Sequence, residues 1–499
     1  MTDSVTRPKR EPTRVSTWRS ASTDGGDERL TTRAWALLLV LCGAIFLEGL
    51  DVSMMGVALP SIRSDLGMST SSLQWVVSAY VVGYGGFVLL GGRAADLLGR
   101  RRMFLFWLGV FVVFSGLGGL ATDGWVLILA RFVTGVSAGF LSPAGLSIIT
   151  TSFAEGPARN RALLVYAGTA AAGFALGVVV GGLLTEINWR WVFFAPVILS
   201  FVILLAAIRL VPDSGRPERS SGGFDAAGAA SLTGAMLLLV FTVVEAPEVG
   251  WGSARTIGSL IATAALLAAF VAIEQRSTTP LVRLGILRSG PLVRANLGAM
   301  CLVGAFLGFQ FIVTLYMQQL RGWSALETGL ALLPCGIDAV LAPTLTPRLV
   351  SRFGVTRVIV VGLSLAVVAL ALFLPIGPDS SYAAAMLPTM ILIGIAFALA
   401  YGPLTIAATN GIAPEEQGLA GGLVYTSTQF GAALGIALVA AVITANTGPD
   451  TSPQALLDGF HAALIVPLVA TVIGAVAISL GLLRRAMPDV EAQRDRETA

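Results

Sequence analysis

The sequence predicts an all-α integral membrane protein: fourteen transmembrane helices in two related six-helix bundles, with two extra helices between them. Three observations carry this reading: an apolar composition, the count of membrane-length runs, and short patterns that return 255 to 259 residues later. Of 499 residues, 55% are hydrophobic and only 12% are charged, where soluble domains carry roughly a quarter. With a mean hydropathy of +0.82, the chain cannot present an ordinary aqueous surface, so lipid is its predicted solvent.

The same composition excludes several functions. A net charge of +3 is too small to argue for nucleic acid. Lys9, the sole lysine, lies in the polar "RPKR". A phosphate-cradling G-x-x-x-x-G-K-[ST] loop therefore cannot be built, and no ATP site is expected. Cys42, Cys301 and Cys335 are isolated in apolar segments and His461 is the only histidine. Neither a disulfide framework nor a metal cluster follows from that set. No His–Ser or His–Cys arrangement is available either, so the chain is read as a non-enzyme without metal or cofactor.

Residues 1–33 are polar and hold seven basic residues. They read as a disordered cytosolic tail, because the following run is too long for a cleaved signal and lacks a small-residue cleavage site. The first bundle, 34–211, comprises runs at 34–60, 73–92, 104–122, 125–146, 162–185 and 191–211. Cytosolic linkers within 212–294 enclose two extra runs, 226–246 and 256–274. The second bundle, 295–484, comprises runs at 295–317, 325–347, 358–376, 383–409, 418–445 and 461–484, and 485–499 reads as a cytosolic tail. Each run is long enough to span a bilayer.

Orientation follows from the basic residues. With the N-terminus inside, interior segments hold 27 of them, whereas exterior loops hold only Arg63, Arg190, Arg255 and Arg321; Arg131 lies within a run. Such an asymmetry places both termini in the cytosol. The repeat is visible in "GRAADLLGRR" (92–101) and "PRLVSRFGVT" (347–356), which follow the second run of each half. Gly135, Ala154 and Tyr166 return as Gly394, Ala413 and Tyr425, and Gly173-x-x-x-Gly177 is matched by Gly431-x-x-x-Gly435. Weak internal symmetry of this kind predicts a transporter built from two repeats.

At this point the chain resembles the major facilitator superfamily, and within it the fourteen-spanner drug:proton antiporter family. "GRAADLLGRR" resembles the superfamily loop signature, with Ala94 and Leu97 as departures. "ARFVTGVSAG" (130–139) and "LDVSMMGVALP" (50–60) resemble its fourth-helix and first-helix motifs. "NWRWVFF" (188–194), "PLVRLGILR" (280–288) and "TSTQFGAALG" (426–435) are similar to further family segments. "GFALGVVVGG" (173–182) resembles the antiporter motif of the fifth helix, but Val178 stands where proline is expected. The resemblance implies a major-facilitator fold and export coupled to protons. It also implies that Gly92, Arg93, Asp96, Gly99 and Arg100 form a conformational loop, and that Gly173, Gly177, Gly181 and Gly182 pack the fifth helix.

Intramembrane acids are functional by default. Glu48 and Asp51 stand three residues apart on one helix face, where ionising both is disfavoured. They are read as proton-coupling, with Arg131 as the guanidinium the resemblance would set beside a carboxylate. Asp338 lies about 20 Å into its run and would offer an acid from the second half. Met54, Met55, Phe309, Gln310 and Tyr425 complete a predicted substrate site, since polarizable and aromatic groups beside an acid suit greasy cations. The predicted partners are the bilayer, protons and a small-molecule substrate, with no nucleic acid or obligate protein partner. These residues together predict a proton-coupled exporter of amphipathic cationic or neutral drugs across the cytoplasmic membrane, working by alternating access. A symporter or exporter of a specific metabolite on the same fold is the alternative that Val178 leaves open. A channel or sensor fits the paired acids and the repeat less well.

Overall fold

The computed structural model describes residues 31–68, 70–212, 225–277, 280, 284–447 and 452–497. Most of the N-terminal tail predicted to be disordered lies outside the described residues. Among those described, the chain is helical and has no strand. The first six helices are α1 Thr32–Leu66, α2 Thr70–Leu98, α3 Arg100–Gly119, α4 Gly124–Ser152, α5 Pro157–Ile187 and α6 Trp191–Leu210. Two more follow, α7 Ala226–Val249 and α8 Ala254–Arg276. The second half contains α9 Gly290–Leu315, α10 Ala325–Leu332, α11 Asp338–Thr344, α12 Thr346–Phe353, α13 Val355–Phe373, α14 Leu387–Thr409, α15 Gln417–Thr447 and α16 Pro453–Glu497.

Among the described residues thirteen helices are long and apolar enough to cross a membrane, and a bent pair raises the number to fourteen. That pair corrects the expectation of one continuous helix over 325–347. Between α10 and α11 the chain tightens into a 3-10 segment, Leu333–Ile337, and a 54° bend separates Glu327–Thr344 from Thr346–Phe353. Pro334, Gly336 and Pro347 account for the breaks, because proline removes a helix donor and crowds the preceding turn. At the other end of the chain α16 continues past residue 484 to Glu497. The expected tail there is rich in Arg, Glu, Gln and Ala, which are good helix formers.

The internal repeat is physical. Gly173 of α5 meets α1 so closely that a Cβ would lie 2.3 Å from the Phe46 carbonyl oxygen. In the second half Gly431 of α15 meets α9 equally closely, 2.1 Å from the Met300 carbonyl by the same measure. Gly135 on Tyr80 and Gly394 on Cys335 form a second matched pair. Small residues let helix backbones approach in lipid, where packing replaces the hydrophobic effect as the driving force. Gly99 and Gly354, 255 residues apart, adopt φ of 101° and 83° and begin α3 and α13. Both turns need a residue without a Cβ.

The halves meet where α2 lies against α15, and where α5 lies against α11 and α14. The extra helix α7 packs on α8, α2 and α15, and so touches both halves along this seam. Leu237 and Val240 of α7 fill the space over Gly86 and Gly85 of α2, and Phe241 stacks on Trp75 at 5.7 Å.

Candidate functional site

Asp51 and Arg131 form an ion pair inside the first half. Arg131 Nη1 lies 2.5 Å from Asp51 Oδ2, and the two side chains are only 2% and 1% exposed. Arg131 Nε also donates to the Val76 carbonyl at 3.2 Å, and its guanidinium lies 4.5 Å from the centre of the Tyr80 ring. The bare backbone at Gly135, one turn along α4, allows α4 to seat this arginine against α2. Arg131 therefore does not reach for the interface, as a long cation near a helix end often does. Both charges are taken out of water. Removing one partner would strand the other at a cost of about 3–5 kcal/mol.

Glu48, one turn away on α1, has a different environment. Ser142 of α4 and Tyr84 of α2 donate their hydroxyls to its carboxylate. Around it stand Tyr80, Tyr84, Tyr166, Tyr401 and Tyr425, five of the seven tyrosines in the chain. The Tyr80 and Tyr84 rings are edge-on at 6.1 Å, and Tyr84 lies 6.5 Å from Tyr425 across the seam. Tyr166 and Tyr425, the repeat mates, share a hydroxyl–hydroxyl contact. Residues of both halves thus converge on one acid.

A second constellation ties the halves at the arginine-rich face. Asp96 Oδ1 and Oδ2 accept from the Gly418 and Leu419 amides, each at 3.1 Å, at the start of α15. Unsatisfied donors and the helix dipole make that end a natural seat for a carboxylate. Arg100 pairs with Asp96 at 3.0 Å and donates to the Pro414 carbonyl. Gly92 is closely apposed to Gly418, where a Cβ would lie 2.3 Å from the carbonyl oxygen. Arg159 donates to Thr409 O and Gln417 Oε1, both at 3.2 Å, while Glu155 accepts from the Gly411 amide at 3.0 Å. Arg93 reaches elsewhere, to the Pro280 carbonyl at 3.4 Å in the connection after α8.

The model of the family described as Major Facilitator Superfamily matches residues 41–436. The chain belongs to that superfamily. It is 37% identical to the puromycin resistance protein pur8 of Streptomyces alboniger, over 88% of each chain. It is 36% identical to the cephamycin export protein CmcT of Amycolatopsis lactamdurans, over 90% of this chain and 92% of the other. Among solved structures, the human organic anion transporter MFSD10 (TETRAN) is similar with a TM-score of 0.65 at 17% identity, covering 90% of this chain and all of that one. That last likeness concerns the fold alone.

Within the superfamily fold the remaining predicted residues separate. Met54 and Met55 are fully buried in a core with Leu50, Ile62, Trp189 and Phe193. Phe309 is fully buried too, edge-on to Phe373 at 5.1 Å. These three sit in cores distinct from the one that holds Tyr84 and Tyr425. Gly181, Gly177 and Gly173 receive α1, with Met54 and Ser53 directly against Gly181 and Gly177; Gly182 beside them is half-buried. Gln310 is half-buried on α9. Asp338 is 6% exposed at the head of α11, which packs on α5 and α14.

At the opposite face "NWRWVFF" has a role in tying down α1. Arg190 lies 2.6 Å from Asp65 and the Trp189 indole donates to it at 3.0 Å. The Arg190 hydrogen bond, and then that of Trp189, hold the Asp65 carboxyl below its ordinary range. The tyrosine cluster was not anticipated beyond Tyr425. Its available signals were the repeat mate Tyr166 and the helical spacing of Tyr80 and Tyr84.

Proposed function

We propose that this chain is a proton-coupled exporter of amphipathic cationic or neutral drugs, working by alternating access between the halves 34–211 and 295–484. Its arginine-rich face lies in the cytosol, with both termini. The observation that carries the reading is the buried Asp51–Arg131 pair. A proton on Asp51 would cancel the anion that holds Arg131, so protonation state and helix arrangement are tied together. Antibiotic resistance and export in the relatives named above support a drug-like cargo.

The state described has its cytosolic ends latched through Asp96, Arg100 and Arg159. From there Asp51 takes a proton delivered from outside and the cargo leaves. Release of these links opens the cytosolic side, where the proton departs and new cargo binds. One proton entering down about 100 mV and about one pH unit supplies roughly 2.3 and 1.4 kcal/mol. For a neutral cargo these together sustain a concentration ratio of several hundred-fold. A monovalent cation leaves against the same potential, so only the pH term, about tenfold, remains.

Everted vesicles test the reading. Addition of an energy source should drive uptake of a fluorescent drug, and a protonophore should abolish it. Uptake that survives the protonophore, or that needs a single metabolite in place of drugs, would reject proton-driven drug export.

A further inference from the structure

We propose that the extra helix α7, together with the connection that follows α8, is an apolar clamp on the cytosolic ends of the two halves and biases the molecule toward its latched state. The proposal rests on the alternating-access reading above and concerns the balance between the two states. Near its cytosolic start α7 supplies Leu232 and Met236 to a buried core. The same core takes Leu89 from α2 of the first half, and Leu292 and Leu419 from α9 and α15 of the second. Ile286 completes it. Only 6% exposed, this residue belongs to the short 3-10 turn Leu284–Arg288 that leads into α9.

The two sides of this core are fastened to different halves. Further along α7, Leu237 and Val240 fill the space over Gly86 and Gly85 of α2, and Phe241 stacks on Trp75. That anchors α7 to the first half. The turn that carries Ile286 packs on α9, which anchors it to the second. Opening the cytosolic side parts α2 from α15, so it must also divide the core and return apolar surface to water. Leu419 joins the clamp to the polar latch. Its amide donates to Asp96 at 3.1 Å, while its side chain, 1% exposed, lies in the core. The charged contacts fix the register of the closed face, and the apolar core adds a cost to opening it.

Electron-resonance distance measurements on the full chain in lipid nanodiscs test the clamp. Spin labels at Ala154 and Ala413, both exposed, report the separation of the cytosolic ends. Relative to wild type, Ile286→Ala should raise the ratio of long to short distances by about tenfold, as expected for losing most of one buried aliphatic side chain. Leu237→Ala weakens only the hold of α7 on α2. It should lower the melting temperature and leave that ratio unchanged. A disulfide between Gly86→Cys and Leu237→Cys, closed before labelling, ties α7 to α2; the side chain that a Cβ at Gly86 would meet is the one replaced. Added to Ile286→Ala, it should leave the long distances in place. An unchanged ratio in Ile286→Ala, an equal rise in Leu237→Ala, or loss of the long distances once the disulfide closes would overturn the clamp. Failure of the exporter reading would appear separately, as absent proton-dependent uptake in wild-type vesicles whatever the distances report.

Discussion

A buried ion pair is stable only as a pair, and that gives Asp51 and Arg131 opposite mutational signatures. Arg131→Gln leaves an uncompensated carboxylate in the first half. It should lower the melting temperature in detergent, in line with the ~3–5 kcal/mol of a broken buried pair. Adding Asp51→Asn should restore much of that stability while transport remains absent. Asp51→Asn alone keeps the shape and fixes the neutral form, so vesicles should lose proton-driven uptake with normal membrane expression. Asp51→Glu should retain part of it. Wild-type uptake in the Asp51→Asn protein would leave this acid a structural residue. The sequence places Glu48 and Asp51 on one face with no cation nearby. Only the crossing of α4 brings Arg131 to one and Ser142 to the other.

Among elements, α15 has its start held by the other half through Asp96. Asp96→Asn keeps the size of the side chain but removes the charge that matches the α15 dipole. Spin labels at Ala154 and Ala413, exposed repeat mates on the latched face, should then report a longer and broader distance distribution. An unchanged distribution would assign the latch to Arg159 and Glu155 instead. Helix packing gives a second prediction. Gly431→Leu would drive a side chain into the Met300 carbonyl, within reach of the backbone itself. Expression should collapse, whereas Gly109→Leu, where a Cβ would meet nothing within 4 Å, should be tolerated. At the far face, the Asp65–Arg190 link is complete above the ordinary carboxylate range. It is lost as pH falls through the depressed Asp65 value.

For the whole molecule the decisive prediction is sidedness. A cysteine at Gly252, exposed in the turn between α7 and α8, should react with an impermeant thiol reagent on intact cells. One at Ser221, between α6 and α7, should react only after permeabilisation. Equal labelling would reject fourteen spans with cytosolic ends. The position of α7 along the seam adds a dimension that hydropathy does not hold: this extra helix is in contact with both halves.

Fold class and span number were legible in the sequence because hydrocarbon admits few solutions: each crossing must satisfy its own backbone, so length and polarity announce it. The repeat was legible because matching turns and close helix contacts need glycine at the same offset, as Gly99 and Gly354 illustrate. The charge pairing was not. Asp51 and Arg131 lie 80 residues apart, and only the packing of α4 against α1 and α2 makes them neighbours. Nor was the sorting of methionines and aromatics. Met54, Met55 and Phe309 look the same in a list as Tyr84 or Tyr166, yet packing assigns the former to cores separate from the one that holds the tyrosines. Local chemistry determines which segments enter the membrane. Which of their faces meet is decided by tertiary packing, because in lipid an apolar side chain gains little by choosing one neighbour over another until small residues let backbones close.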